Sequence, residues 1–224
     1  HLAQVRTAAA RGVAALDDGD TPVFADMHRA AARVVGTALE ACARVVAGEL
    51  DSSFQAIGGL HHARRDRAAG FCVYNDCGVV IETLRRVHGL RRIAYVDLDA
   101  HHGDGVFYGF EDDPDLVFAD IHQDGRTLYP GSGLVSERGK GAAAGTKLNV
   151  ELPPGADDAA FRVAFARVEA HLERHPAEFY LLQSGADSLA GDPLAQLAYT
   201  PATHAYAARR LRALAARHAH GRLM

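Results

Sequence analysis

Tryptophan is absent from the 224-residue sequence, and methionine, cysteine and lysine are scarce, with two, three and two residues respectively. Three cysteines are too few for a disulfide framework, and Cys42, Cys72 and Cys77 lack the spacing of a zinc ribbon. No apolar run approaches the ~20 residues that a transmembrane helix needs. The net charge of −4 disfavours a nucleic-acid or anionic-membrane surface as the main partner. These absences predict a reduced, cytoplasmic protein.

The composition is that of an ordinary globular protein. Hydrophobic residues make up 48% of the chain and charged residues 23%, which excludes wholesale disorder. The length suits one domain with a substantial core, and no repeat, linker or charge block divides the chain. We therefore expect residues 1–224 to form a single domain. The 22 arginines, against two lysines, indicate the codon bias of a GC-rich and therefore bacterial genome.

Hydrophobic periodicity predicts alternating helices and strands. Alanine-rich stretches with a helical period cover residues 2–15, 26–48, 77–88, 157–174 and 201–217. Continuously apolar runs predict strands at Phe54–Ile57, Ile93–Leu98, Leu116–Ile121, Leu148–Leu152 and Phe179–Gln183. Strands without polar alternation are typical of a parallel sheet that is covered on both sides. The predicted fold class is α/β, an open, mostly parallel sheet with helices on both faces.

Histidines and carboxylates collect directly after these strands. The segments that follow them are Gly58–His62, Asp99–Asp104, His122 with a glycine-rich loop, and Gly185–Asp187. In open α/β sheets, ligands bind just beyond the carboxyl ends of the strands. The sequence therefore predicts that these polar residues surround a shared crevice.

A metal site is the first candidate in this crevice. Residues two apart in an extended segment face the same way, so Asp97, Asp99 and His101 can point to one side as their strand ends. With Asp187, the pair Asp99 and His101 supplies one nitrogen and two oxygen ligands. Three protein ligands and an open position are typical of a catalytic zinc or ferrous site, since structural sites are closed by four.

Simpler interpretations exist for each part of this pattern. An Asp-x-His pair alone also fits a structural hydrogen bond at a strand end, and His61–His62 alone fits an ordinary turn. Both pairs, Asp187 and further Asp partners fall on the same predicted edge. That coincidence favours a functional site.

Five segments in order resemble the zinc-dependent histone deacetylase family, in its bacterial acetoin utilization branch, which is similar to class I deacetylases. They are residues 59–63 (GLHHA), 70–76 (GFCVYND), 95–106 (YVDLDAHHGDGV), 129–133 (YPGSG) and 185–193 (GADSLAGDP). The resemblance extends over about residues 17 to 200. Several long motifs in the family's order and spacing make it more specific than any single motif.

This resemblance implies an arginase/deacetylase fold and hydrolysis of an acetylated lysine or a similar amide. It implies that Asp99, His101 and Asp187 hold Zn²⁺, with Fe²⁺ as the other candidate ion. It further implies that the tandem histidines are the acid–base groups, with Asp97 as the partner of His61 and Asp104 as the partner of His62. Since two histidines with separate carboxylates can have different pKa values, we expect His62 to be the general base and His61 its electrostatic partner.

The resemblance also implies binding positions around the metal. Those expected to line the acyl-lysine channel and its rim are Asp20, Gly70, Phe71, Tyr129 and Leu194. Those expected to hold K⁺ are Asp97, Asp99, His101, Asp120 and Ile121. Two of these residues depart from the family, because Tyr129 stands where relatives usually have Phe and Asp120 replaces a serine. Without the resemblance, Phe71 and Tyr129 are ordinary packing residues and Asp20 is an ordinary turn residue.

The resemblance further implies that the chain is clipped at both ends. The family's next strand leads to a glycine-rich turn and an oxyanion-stabilising tyrosine, neither of which lies within residues 1–224. Since losing one oxyanion donor costs ~10²–10³ in turnover, we expect this stretch alone to be weakly active or inactive.

Three functions remain open from the sequence. The first is a deacetylase that acts on an acetylated protein or a small acetylated amine. The second is a dimanganese ureohydrolase, which needs another carboxylate two residues after the ligand histidine, where Gly103 stands. The third is a fragment that only binds acyl-lysine or metal. The oligomeric state cannot be predicted.

Overall fold

A computed structural model describes residues 1–224 as six helices and four strands. The helices are α1 (Leu2–Ala8), α2 (Met27–Val46), α3 (Asp76–Arg86), α4 (Asp104–Gly109), α5 (Asp158–Arg174) and α6 (Pro201–His218). The strands are β1 (Ile93–Asp97), β2 (Leu116–Gln123), β3 (Lys147–Leu152) and β4 (Phe179–Gln183). No helix combines the length and the apolar character needed to cross a bilayer.

All four strands are parallel and follow the order β3-β2-β1-β4. The register sets Asp97, the last residue of β1, opposite Asp120 on β2 and Gln183 on β4. Polar side chains from three neighbouring strands therefore meet on one rung at the carboxyl edge. The predicted open, parallel α/β sheet is confirmed.

Strands β1, β2 and β4 each contribute to two cores because their side chains alternate between the two faces of the sheet. On one face, β1 buries Ala94 and Val96 in a cluster that includes residues of α5 and α6. On the other face, Ile93 and Tyr95 join residues of α2, α3 and α4. A two-sided apolar cover explains why the strand sequences are continuously hydrophobic.

Helix capping follows the sequence signals. Thr200 accepts a hydrogen bond from the backbone of Ala202 at 3.3 Å, and Pro201 occupies the first turn of α6, where its missing N–H costs nothing. Asn75 caps α3 by accepting from the backbone of Gly78 at 2.8 Å. Both caps fix the start of a helix that packs beside the site.

The predicted strand Phe54–Ile57 is wrong. Its side chains include Phe54 at 82% exposure and Ile57 at 67%, and a turn occupies its end. Pairing occurs only just before it, where Ser53 donates its backbone N–H to Leu223 at 3.2 Å. Because an extended segment becomes a strand only when a neighbour pairs with it, apolar character alone was not sufficient here.

Two helices also differ from expectation. The helix predicted over residues 2–15 ends at Ala8, and Gly12 then adopts a φ of +65°, outside the helical region. The short α4 was not predicted because its six residues are too few for a periodic pattern. It begins at Asp104, which places that carboxylate beside the site.

Candidate metal centre and active site

The predicted metal ligands come together at the carboxyl edge of the sheet. Asp99 and His101 lie on the loop that follows β1, and Asp187 lies on a 3₁₀ turn, Ala186–Ser188, after β4. Each offers one ligand atom, and the three atoms lie within 4.8 Å of one another. The Nδ1 atom of His101 is 2.6 Å from Oδ2 of Asp187 and 3.0 Å from Oδ1 of Asp99.

Hydrogen bonds orient the two carboxylates from behind. The second oxygen of Asp99, Oδ2, accepts a hydrogen bond from Nε2 of Gln183 at 2.9 Å. The second oxygen of Asp187, Oδ1, accepts from the backbone N–H of Ala100 at 2.9 Å. Each carboxylate therefore keeps one oxygen for a metal while the other is held, as is usual around metal ligands.

The charge of this cluster fits a divalent cation. Although burial opposes the charged imidazole, hydrogen bonds to Asp187 and Asp99 raise the pKa of His101 to about 9. Positive charge is thus strongly favoured between the two carboxylates. One nitrogen and two carboxylate oxygens, all on side chains that are partly exposed, fit zinc or ferrous iron with an open coordination position.

The first tandem histidine forms a buried pair with Asp97. His61 Nδ1 lies 2.8 Å from Oδ2 of Asp97, and that carboxylate also accepts from the hydroxyl of Tyr95 and the backbone of Asp99. Three donors stabilise the anion, so the proton belongs on the imidazole. Although burial opposes it, the carboxylates of Asp97 and Asp99 raise the pKa of His61 well above its ordinary value.

The second tandem histidine has a different environment. His62 Nδ1 lies 2.7 Å from Oδ1 of Asp104, whose other oxygen accepts from Arg64 at 2.6 Å. Burial and the charge of His61 lower the pKa of His62, against the opposing effect of Asp104. The guanidinium of Arg64 partly neutralises Asp104, so this carboxylate favours the charged imidazole less than Asp97 does. The two histidines therefore prefer different protonation states.

Side chains of α3 hold the loop that carries the tandem histidines. Asp76 accepts hydrogen bonds from the backbone of Gly59 at 3.0 Å and of Leu60 at 2.8 Å. Asn75 donates its Nδ2 to the carbonyls of His61 and Ala63 at 3.1 and 3.0 Å. The segment 70–76 thus positions the acid–base groups as well as starting a helix.

Two of the predicted channel residues lie directly against His62. The Tyr129 ring packs edge-on at 5.1 Å between centroids, and a Cβ atom on Gly70 would lie 2.6 Å from Cδ2 of His62. Only glycine fits there, which the φ of +52° also favours. Burial and the charges of Asp104 and Asp20 raise the pKa of Tyr129 to about 12, so its hydroxyl stays protonated at neutral pH.

The remaining predicted channel residues are exposed. Phe71 is 65% exposed and Leu194 61%, and Asp20 is also exposed. No contact joins them to the metal ligands, so their roles at the rim stay predictions.

The set predicted for K⁺ is built around Asp120. Both oxygens of this fully buried carboxylate are already hydrogen-bonded, Oδ1 to His122 Nδ1 at 2.7 Å and Oδ2 to the backbone N–H of Gly103 at 2.8 Å. A serine at this position would have left more room for a cation. The K⁺ site, including the part assigned to Ile121, stays a prediction.

Sequence reasoning missed three residues of this network. Tyr95 carried a signal, since it precedes Asp97 by two positions and must point to the same face. The other two, Arg64 and Gln183, carried no motif of their own, because their partners are set by the fold.

Comparison with known proteins agrees with this geometry. The family model described as "Histone deacetylase domain" matches residues 1–224. The acetoin utilization protein AcuC of Bacillus subtilis is 42% identical over 185 residues, which is 81% of this chain and 47% of that protein. The chain therefore spans about half the length of the curated relatives it matches.

Solved structures give the same result. A histone deacetylase homologue from Aquifex aeolicus superposes with a TM-score of 0.87 at 31% identity, over 95% of this chain and 59% of that one. An acetylpolyamine aminohydrolase from Burkholderia pseudomallei superposes with a TM-score of 0.76 at 33% identity, over 84% and 55%. The sequence motifs, the two His–Asp pairs and the Asp–His–Asp cluster agree with these matches. The chain belongs to the histone deacetylase family.

Proposed function

We propose that the protein is a metal-dependent deacetylase that hydrolyses the acetyl amide of a primary amine. One observation carries the proposal: two histidines with separate carboxylates lie beside an Asp–His–Asp cluster. The ring of His62 is 5.8 Å from that of His101 between centroids, which places acid–base chemistry next to the ligand set. Amide hydrolysis needs both parts, because water must be activated and the departing amine must be protonated.

The metal would be held by Asp99, His101 and Asp187. When bound, a zinc or ferrous ion polarises the acetyl carbonyl and makes the attacking water more acidic. Gln183 and the backbone of Ala100 keep the two carboxylates in place for that task.

Proton transfer falls to the second histidine. His61 and His62 face each other with their Nε2 atoms 3.1 Å apart, and each Nδ1 donates to its own carboxylate. With the proton favoured on His61, its Nε2 donates and Nε2 of His62 accepts. His62 is therefore the general base: when its Nε2 exchanges the hydrogen bond from His61 for one from the attacking water, it takes a proton from that water and delivers it to the departing amine. His61 stays charged and stabilises negative charge that develops on the acetyl group.

The substrate reaches these groups along an apolar wall. A lysine stem or a polyamine chain is a flexible aliphatic segment, and Tyr129 with Gly70 offers a flat surface against His62. Phe71 and Leu194 would extend the surface outward, with Asp20 at the rim for backbone amides or for a second amine. The relatives include an acetylpolyamine aminohydrolase, so a small acetylated amine is as consistent as an acetylated protein.

The ureohydrolase alternative lacks its second ligand set. Gly103 follows His101 by two residues and supplies no side chain. Asp99, His101 and Asp187 form the only group of three or more His, Cys, Asp or Glu side chains with metal-binding geometry. One metal per chain is therefore favoured over two.

Metal stoichiometry and turnover test the proposal together. The protein is produced with the glycine-rich turn and the tyrosine that the family resemblance implies. It is loaded with zinc or ferrous iron, freed of excess metal, and assayed with a fluorogenic acetyl-lysine peptide and with an acetylated polyamine. Asp187→Ala removes a proposed ligand. Asp112→Ala is the matched control, because Asp112 is exposed and makes no hydrogen bond.

One metal ion per chain and amine release that Asp187→Ala abolishes and Asp112→Ala preserves would support the proposal. Two manganese ions per chain with urea release would overturn it in favour of the ureohydrolase. Bound metal without hydrolysis of either substrate would leave a binding protein instead.

A further inference from the structure

A further histidine lies behind the metal cluster, outside the machinery described so far. His204 is on the first turn of α6, and its ring faces the turn that carries Asp187. Its Nδ1 lies 3.0 Å from the hydroxyl of Ser184 and its Nε2 lies 3.2 Å from the hydroxyl of Ser188. These serines stand on either side of Asp187 in the sequence, so one imidazole spans the whole turn.

The direction of both hydrogen bonds can be assigned. Ser188 donates its only hydroxyl proton to the carbonyl of Gly185 at 3.3 Å. Nε2 of His204 must therefore donate to Ser188, and Nδ1 accepts from Ser184. Burial lowers the pKa of His204, which favours this neutral form with one donor and one acceptor. Both ring nitrogens are used, and the ring is fixed in orientation.

The turn that carries Asp187 is a single 3₁₀ turn of three residues. The Asp187 carboxylate contacts the backbone N–H of Ala100 and Nδ1 of His101, and the carbonyl of Ser188 accepts from the backbone of Tyr199 at 3.2 Å. His204 adds the contacts that hold the serine side chains on both sides of Asp187. The preceding Gly185 packs against Asp99 so closely that a Cβ atom there would lie 2.2 Å from Oδ2. A shift of the turn would therefore change the distance between the two carboxylate ligands.

We propose that His204 is a positioning residue for the metal centre: by bridging Ser184 and Ser188, it fixes Asp187 in the position that binds metal. The inference rests on the proposed function, since it takes Asp187 as a ligand. Residues that orient metal ligands typically contribute 10- to 100-fold to metal affinity. His204 acts through Asp187 and touches neither substrate nor metal.

The test compares variants of this histidine on metal binding instead of turnover. His204→Leu keeps much of the volume and removes both hydrogen bonds, whereas His204→Gln keeps a donor and an acceptor. Arg209→Ala, on the exposed side of α6, is the control. Zinc affinity is measured by competition with a chromophoric chelator, the Co²⁺ absorption spectrum reports ligand geometry, and thermal unfolding of the metal-free protein reports stability.

We expect zinc affinity to fall ~10- to 100-fold in His204→Leu, with an altered Co²⁺ spectrum. His204→Gln should recover most of the affinity, and Arg209→Ala should match the parent. A lower unfolding temperature for His204→Leu with unchanged zinc affinity and an unchanged Co²⁺ spectrum would overturn the inference and leave a purely structural role.

Asp187→Ala separates this result from the proposed function. If the parent protein and Asp187→Ala bind zinc equally, the proposed ligand set fails, and the role of His204 fails with it. If Asp187→Ala loses zinc while His204→Leu keeps it, only the inference about His204 is overturned.

Discussion

The Nε2 atoms of His61 and His62 lie 3.1 Å apart, so two adjacent imidazoles share one hydrogen bond while each also pairs with its own carboxylate. Only one of the facing nitrogens can carry a proton in this arrangement. The environment decides which one, because Asp97 has no cationic partner besides His61, whereas Asp104 is shared with Arg64. The charge therefore belongs on His61, and the accepting lone pair on Nε2 of His62.

This assignment predicts unequal effects of removing the two histidines. His62→Gln removes the base, and we expect kcat to fall ~10²- to 10⁴-fold, the usual contribution of general acid–base catalysis. His61→Gln removes a charge and leaves the base in place, so the loss should be smaller. Steady-state kinetics with saturating metal measures both. Equal losses, or a larger loss in His61→Gln, would contradict the assignment.

The ion pair between Arg64 and Asp104 predicts a shift in the pH profile of kcat/KM when Arg64 is replaced. Arg64→Gln removes a positive charge beside Asp104, so the pKa of His62 should rise. A general base must be deprotonated, and activity is lost as pH falls through its pKa. The acid limb of the kcat/KM profile should therefore move to higher pH in Arg64→Gln.

The exposed Arg67→Gln change is the matched control, since the one ion pair of the Arg67 side chain is with the exposed Asp66. Its profile should follow that of the parent protein. An acid limb that stays in place or moves to lower pH in Arg64→Gln would show that Arg64 does not set the pKa of His62.

Alanine substitutions at Gly70 and Gly89 distinguish the effect of steric crowding from that of backbone strain. Both have positive φ, +52° and +70°, so alanine strains either backbone by a similar amount. A Cβ atom on Gly70 would contact His62 at 2.6 Å and Tyr129 at 2.9 Å, whereas Gly89 has open space. Gly70→Ala should lower kcat/KM roughly 10²-fold, the cost of displacing a catalytic group by about 1 Å. Gly89→Ala should lower stability alone.

Thermal unfolding and steady-state kinetics on both variants check this prediction. If the two alanine variants lose the same stability and neither loses activity, the close approach of Gly70 to His62 has no catalytic role.

The sequence predicted the sheet edge well because strand ends carry strong local signals. Asp97 ends β1, and Asp99 and His101 follow it on a bend, so the three residues meet at the strand end as predicted. The backbone of Asp99 donates to Asp97 and that of His101 to Asp99, and these hydrogen bonds bring them together instead of strand alternation. The strand at residues 54–57 failed for the opposite reason. A strand is defined by its neighbours, and Phe54 and Ile57 find none to pair with.

Supporting residues could not be predicted in the same way. Gln183 reaches Asp99 across 84 positions of sequence, and Arg64 reaches Asp104 across 40. No local pattern encodes such pairs, because the register of the sheet and the packing of the loops select them. Glutamine at the end of a strand and arginine in a loop are common in other contexts, so neither indicates its role.

His171 provides a prediction about stability that is independent of catalysis. This buried imidazole on α5 lies 3.2 Å from the carbonyl of Thr146, and burial together with the charge of His175 lowers its pKa to about 4, from an ordinary 6.5. Between pH 6.5 and 4 the unfolded chain takes up a proton that the folded chain does not. As the pH is lowered from 6.5 to 4, the free energy of unfolding should therefore decrease by about 3 kcal/mol because of this group. It should level off below pH 4.

His171→Gln keeps a hydrogen-bond donor for Thr146 but cannot titrate. Its free energy of unfolding, measured by urea denaturation at several pH values, should fall less steeply between pH 6.5 and 4 than that of the parent protein. His88→Gln, at a partly exposed position whose side chain makes no hydrogen bond, is the matched control and should keep the parent slope. Equal slopes for His171→Gln and the parent would mean that His171 takes up its proton as readily in the folded chain as in the unfolded one, which would contradict the prediction.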